Sequence, residues 1–335
     1  MRRLACLLAL LAGSAGAASA NDTTAVLGAG GLIFTRSDTI EMQSEDLFIS
    51  EEEVRVAYKF RNTGRSDVES IVAFPMPDIS GDPYANVALP DYASDNFLDF
   101  SVTVDGKAIE PALEQRAFAA EIDVTDLLKA AGVPLLPTGD TINDKVAALD
   151  AATKAEWTVR GILLEERFDE DGKEVVNHYP LWRLKSTYWW RMSFAADRQI
   201  DVRHVYKPAI GGTVGVTFLQ DGKAKGEQFD AYVTKYCLDK GIVGAVERAA
   251  AKSPEGYPPM TETWISYILT SGGNWSGSIG KFRLTVDKGD EKNLISFCGT
   301  GVRKVGPTTF EIAADDFYPE RDLDFLILRP YDPQQ

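Results

Sequence analysis

The side chains from which this chain could build chemistry are few. His178 and His204 are its only histidines, and neither lies in an HxxxH or HExxH spacing, so a zinc site would need both or would need carboxylates besides. His204 falls on the apolar face of RQIDVRHVY, where a hydrogen-bonded core histidine is expected, and His178 lies at the end of an expected hairpin. No GxSxG elbow supports a serine nucleophile. LGAGGLIF places glycines at 28, 30 and 31 but has Ile33 where a dinucleotide loop needs its third glycine. The loop PDISGDPYANVALPDYASDN gathers Asp78, Asp82, Asp91 and Asp95 with Asn86 and Asn96. Calcium takes loop oxygens of this kind, although the spacing is not that of an EF-hand. FDEDGKE fails that pattern as well, because Arg167 occupies the first ligand position. Calcium is thus the one cofactor to weigh, with a solvated loop as the plainer alternative. A pair of such carboxylates in a cleft could instead work as acid and base on a polymer.

A second kind of candidate is aromatic. In STYWWRMSF, Tyr188, Trp190, Met192 and Phe194 alternate with Thr187, Trp189, Arg191 and Ser193. Alternation sustained from Trp182 to Phe194 argues for a strand with one buried face. Trp189 alone is then left on the polar face beside Arg191, a pairing enriched at contact surfaces. These two residues are the candidate binding surface.

The elements that must position these residues are mostly strands. EVRVAYKF places Val54, Val56, Tyr58 and Phe60 on one face; ESIVAFPM ends at prolines expected at an edge or bulge. LDFSVTV alternates from Leu98 to Val104 and turns at Asp105-Gly106, a strong hairpin signal. From Pro111 the composition shifts: PALEQRAFAAEIDVTDLLKAAG is rich in Ala, Leu and Glu, and TINDKVAALDAATKAEW has Thr141 three residues before Asp144, a start resembling a capping box. Two or three helices are expected there. GILLEERFDEDGKEVVNHYPLW reads as a hairpin around Asp171-Gly172, and VGVTFL as a strand. FDAYVTKYCLDK and GIVGAVERAAAK read as helix, broken at Gly241. WISYILT, GKFRLTV, NLISFCG and DLDFLIL return to strand. The expected fold is mainly β, with β-sandwich-like sheets and helical insertions. Its regions are an N-terminal β region (21–110), a helical insertion (111–160), a central β region (161–228), a helical segment (229–252) and a C-terminal β region (253–335), and late strands could pair with early ones.

The N-terminus sets the compartment. MRRLACLLALLAGSAGAASA has a basic start, a short apolar run from Leu4 to Ala12 and small residues Ala18-Ser19-Ala20, the pattern of a signal peptide over 1–20 cleaved near Ala20. The run is too short for a membrane span, which takes about 20 residues, and no later stretch is long and apolar enough. A periplasmic or secreted protein is expected, with no membrane-spanning segment after cleavage. Net charge is −15, or −17 without Arg2 and Arg3, which argues against nucleic acid as partner. Cleavage leaves Cys237 and Cys298, and in an oxidising compartment an isolated pair favours a structural disulfide.

EVRVAYKFRNT, VAFPMPD, YKPAIGGT and LTSGGNWSGSIGKFRLTVDKG, together with Tyr236-Cys237 and Phe297-Cys298, resemble the exported bacterial family known as domain of unknown function 4424. The resemblance runs from about Ala29 to Leu328. It implies a bacterial exported protein and brings no catalytic residues with it. The reading that follows is a non-enzymatic binding or interaction protein of the bacterial cell envelope, its partner an envelope protein or glycan. An envelope-polymer hydrolase using a carboxylate pair and a calcium-stabilised structural module are the alternatives.

Overall fold

The computed structural model describes residues 21–28 and 31–332; the expected signal peptide, 1–20, lies outside them. The chain opens with a hairpin of β1 (Thr23–Gly28) and β2 (Gly31–Thr35). β3 (Ile40–Ile49), β4 (Val54–Asn62) and β5 (Val68–Pro75) follow. In β4 the alternation works as expected, with Val54, Val56, Tyr58 and Phe60 buried. β6 (Ser101–Val104) and β7 (Lys107–Ile109) form the Asp105-Gly106 hairpin; both turn residues have positive φ, 49° and 75°, which suits a tight hairpin turn.

β8 (Ala112–Ala119) corrects the helical expectation for 111–160 at its start. Ala, Leu and Glu favour helix locally, but pairing of this stretch with a long neighbouring strand overrides that preference. Helices begin only at α1 (Thr125–Ala130), α2 (Asp140–Ala147) and α3 (Ala151–Val159). α2 starts at Asp140 after Gly139, with no side-chain cap, so the capping-box reading of Thr141 does not hold. β9 (Leu163–Glu170) and β10 (Lys173–Pro180) form the Asp171-Gly172 hairpin. β11 (Arg183–Phe194) and β12 (Gln199–Tyr206) follow. β13 (Ile210–Thr213) ends before VGVTFL, whose Val216 and Phe218 sit instead in a helix-covered cluster.

α4 (Glu227–Tyr236) and α5 (Lys240–Lys252) separate at Cys237, which has φ 53°, and at the cap Asp239, not at Gly241. Asp239 accepts a hydrogen bond from the Ile242 amide at 2.9 Å, satisfying a first-turn donor that would otherwise lack a partner. The last strands are β14 (Met260–Tyr267), β15 (Ile279–Asp287), β16 (Leu294–Phe297), β17 (Thr309–Phe317) and β18 (Leu323–Pro330).

The fold is mainly β, with three large sheets. One runs β8-β11-β5-β1-β2, extended at its β8 end by Ile122–Asp123. β5 is thus an interior strand, and Pro75 terminates it opposite Thr187 instead of marking an edge. The second sheet runs β17-β15-β3-β4-β12-β6-β7, and in it β15 lies parallel to β3. The third runs β16-β18-β14-β13. One apolar core joins all three, taking Tyr58 and Phe60 from β4, Phe74 from β5, Trp190 and Phe194 from β11, and Phe325 and Ile327 from β18. Each such side chain contributes about 1.5–3 kcal/mol on burial. α1 to α3 close one end around Trp157 and Trp182, and α4 and α5 cover the third sheet through Tyr232 and Val246.

Candidate functional site

A strand with a free edge carries unpaired main-chain groups, and β8 has one. The Ala117 amide donates to Thr125 Oγ1 at 2.9 Å, and its carbonyl accepts from the Val124 amide at 2.9 Å. Both bonds point away from β11, the strand that pairs β8 on its other side. Main-chain groups repeat their direction every second residue, so the N–H and C=O of Gln115 and Leu113 face the same open side. Ile122–Asp123 pairs only Phe118 and Ala119. Among the described residues, the two-residue ladder at Leu113 and Gln115 therefore has no strand against it.

Two concavities flank that edge and share Leu113, Gln115 and Lys129 in their walls. The outer one, about 400 Å³, lies between β8 and α1 and includes Glu114, Arg116, Asp123 and Trp189. The inner one, about 650 Å³, reaches under Tyr92 and Asp95 to the loop before α2. Arg116 braces the outer wall, with Glu114 at 3.4 Å and Asp123 at 2.6 Å. Burial works against a charge on Asp123, but hydrogen bonds from Thr125 and Arg116 outweigh it and hold its pKa below the usual carboxylate value. That direction is the opposite of what a general acid needs. Lys129 is exposed and makes no ion pair among the described residues.

Trp189, singled out by the alternation, does line this cleft. It is half-buried: part of the ring packs against the small cluster of Ala25, Ile71 and Ala73, and the residue also lines the cleft. Arg191 lies on the same strand face, exposed and outside the cleft wall, so the pair divides between the site and its surroundings. Arg116 escaped the sequence because its segment looked helical but is a strand; Lys129 lies in a helix as expected, and nothing local in the sequence marks it as facing the same cleft.

The four loop aspartates go to separate partners. Asp78 pairs with Arg183 at 3.2 Å, and burial raises its pKa against the pull of Lys185 and Arg183. Asp82 accepts from the Tyr84 amide and Asp91 from the Ala93 amide. Asp95 accepts at its carbonyl from Gln115 Nε2, 3.1 Å, which ties the loop to β8. Among the described residues no three His, Cys, Asp or Glu side chains converge as a metal would require. Cys237 and Cys298 are disulfide-bonded, joining the end of α4 to the end of β16.

His204 is buried and hydrogen-bonded to Asp22 at 2.9 Å. Around that pair lie Asn21, Glu45, Tyr58 and Tyr267, all buried between the sheets. No substrate reaches a cluster enclosed in this way, so the cleft along β8 is the better place for an external ligand. A further depression of about 560 Å³ lies on the outer face of the second sheet, between Arg203, Arg283 and Lys59. Asp46 already occupies Arg283 there, leaving an ordinary salt-bridged strand face.

A family model described as Domain of unknown function (DUF4424) matches residues 20–326. No curated protein matches the chain. Among solved structures, the chain is similar to one named "a putative nutrient binding protein" from Legionella pneumophila subsp. pneumophila str. Philadelphia 1. That likeness has 15% identity and a TM-score of 0.45, and it covers 92% of this chain and 70% of the other. A likeness at this level does not extend to function.

Proposed function

The chain belongs to the DUF4424 family, and from its own geometry we propose that it is an exported, non-enzymatic binding protein of the cell envelope that captures an extended polypeptide along β8. The observation that supports this reading is the free ladder at Leu113 and Gln115, set in the wall of a cleft with Trp189 beside it. An incoming strand matches alternating N–H and C=O groups by its main chain alone, and its side chains fall alternately into the two concavities. Trp189 offers one an aromatic wall, and Lys129, at the boundary of both, offers a cation to a carboxylate. A peptide supplies main-chain donors and acceptors at the strand repeat; a glycan does not.

The test is a selection from a random library of unstructured heptapeptides on the oxidised mature protein, followed by affinity measurement on variants. Leu113→Pro deletes one amide that the native ladder does not use, whereas Leu113→Ala trims the side chain and keeps that amide. Selected peptides are expected to bind Leu113→Pro about threefold to tenfold more weakly than Leu113→Ala, the effect of losing one main-chain hydrogen bond. Equal binding by the two variants would contradict strand addition at β8.

A further inference from the structure

The chain enters the fold through a polar cluster enclosed by the core. Residues Asn21, Asp22 and Thr23 are each 0% exposed. The Asn21 main-chain nitrogen donates to Ser271 Oγ, and the Asn21 carbonyl accepts from that same hydroxyl at 2.7 Å. Asn21 Nδ2 reaches Glu45 Oε2 at 3.0 Å and the Leu269 carbonyl at 3.4 Å, while Tyr58 donates to Asn21 Oδ1. Trp275 Nε1 fixes the Asp22 carbonyl at 2.6 Å. A Cβ at Gly272 would come within 2.5 Å of Asn21 Nδ2, so the receptor is cut to this residue.

Acidic groups outnumber basic ones in this cluster. Two carboxyl groups, Asp22 and Glu45, face one basic side chain, His204, with Tyr58, Tyr206 and Tyr267 completing the titratable groups from β4, β12 and β14. Asp22 Oδ2, His204 Nδ1 and the Tyr206 hydroxyl are each buried without a hydrogen-bond partner among the described residues. An unpartnered buried acceptor and an unneutralised buried acid are both costly. No cationic side chain pairs with Glu45 among the described residues, and the residue carrying Nδ2 against Glu45 is the residue that an expected cleavage after Ala18-Ser19-Ala20 would make the first of the chain.

We propose that hydrolysis of the Ala20–Asn21 bond is a maturation step for the fold itself, and that the α-ammonium it frees, held by Ser271, neutralises Glu45. An exported-chain peptidase supplies the catalysis and water is the co-reactant. The C–N bond breaks, Ala20 leaves with a carboxylate, and the Asn21 nitrogen takes up a proton, as an α-amine near neutral pH can. While Asn21 is still joined to residue 20, its nitrogen brings no charge. Burial then raises the Glu45 pKa to about 8, against a hydrogen bond from Asn21. A carboxyl whose folded pKa exceeds its unfolded value loses stability as pH rises between the two. The uncleaved arrangement therefore carries a Glu45 penalty from about pH 4.5 to about pH 8, which the cleaved one relieves, while burial raises the Asp22 pKa in both forms.

The test compares protein beginning at Asn21 with protein carrying one extra alanine before it, both oxidised, in melts from pH 5 to 8. The extended form is expected to melt on the order of 5–10 °C lower near pH 8, as for loss of a buried ion pair, and to lose stability as pH rises. Glu45→Gln keeps the hydrogen bond to Asn21 but removes the charge, so in that background the two forms should melt together. If the extended form fails to fold, Glu45→Gln is expected to restore it. Equal melting of the two forms, a difference that persists undiminished in Glu45→Gln, a failure of that variant to restore folding, or a natural exported protein whose first residue is not Asn21 by mass spectrometry would overturn the proposal.

Discussion

Trp189 is the residue at which sequence and site meet. Its place on the polar face of an otherwise alternating strand is visible in STYWWRMSF, because a large apolar side chain on the wet side breaks the period. The three-residue cushion against which it packs, Ala25, Ile71 and Ala73, is not visible there, since those residues come from two other strands. Trp189→Ala is therefore expected to act twice. Losing a half-buried indole should destabilise by about 1–2 kcal/mol, below the ~3–5 kcal/mol of a fully buried one, as read from a denaturant melt. Peptide binding should fall at least about tenfold, while Trp189→Phe, which keeps an aromatic wall, should recover most of both. A loss of stability with binding untouched would make Trp189 a packing residue only. The partners of His204 were equally hidden: its burial follows from the period of RQIDVRHVY, but Asp22 lies 182 residues away, and no local pattern announces a pair that distant.

At the scale of elements, composition and pairing disagreed in one place, and that place carries the site. ALEQRAFA has the residues of a helix and the pairing of a strand, because β11 offers it a full ladder of partners from Arg183 to Trp189. Hairpins were legible at Asp105-Gly106 and Asp171-Gly172, where Asp-Gly between alternating runs supplied two positive φ angles, but not at Asp221-Gly222, whose flanking strands are only two residues each. Helix boundaries were not, because Gly241 and Thr141 resemble punctuation while Cys237 and Gly139 provide it. The Cys237–Cys298 bridge, expected from compartment and cysteine count, closes 61 residues of chain. Its replacement by a pair of serines should cost about 4 kcal/mol in the chain-entropy account, lowering Tm by on the order of 10 °C. An unchanged Tm would mean that the α4–β16 contact holds without it.

At the scale of the molecule, the regions distinguishable in sequence interlock. β15 runs parallel to β3, Asn274 donates to Thr23 at 2.9 Å, and one core draws on all three sheets. Unfolding of either half should therefore expose the other, and calorimetry is expected to show one cooperative transition, unmoved by a calcium chelator because the loop aspartates bind their own chain. Two transitions, or a chelator-dependent one, would contradict that description. Among the described residues no helix is long and apolar enough to cross a membrane. The central claim remains that β8 offers its open edge to a partner's main chain. The most direct measurement is amide hydrogen exchange at single-residue resolution, with and without a selected peptide. The account predicts that the Leu113 and Gln115 amides exchange freely in the unbound protein and become strongly protected on binding. Protection confined to other strands, or two amides already slow without the peptide, would contradict it.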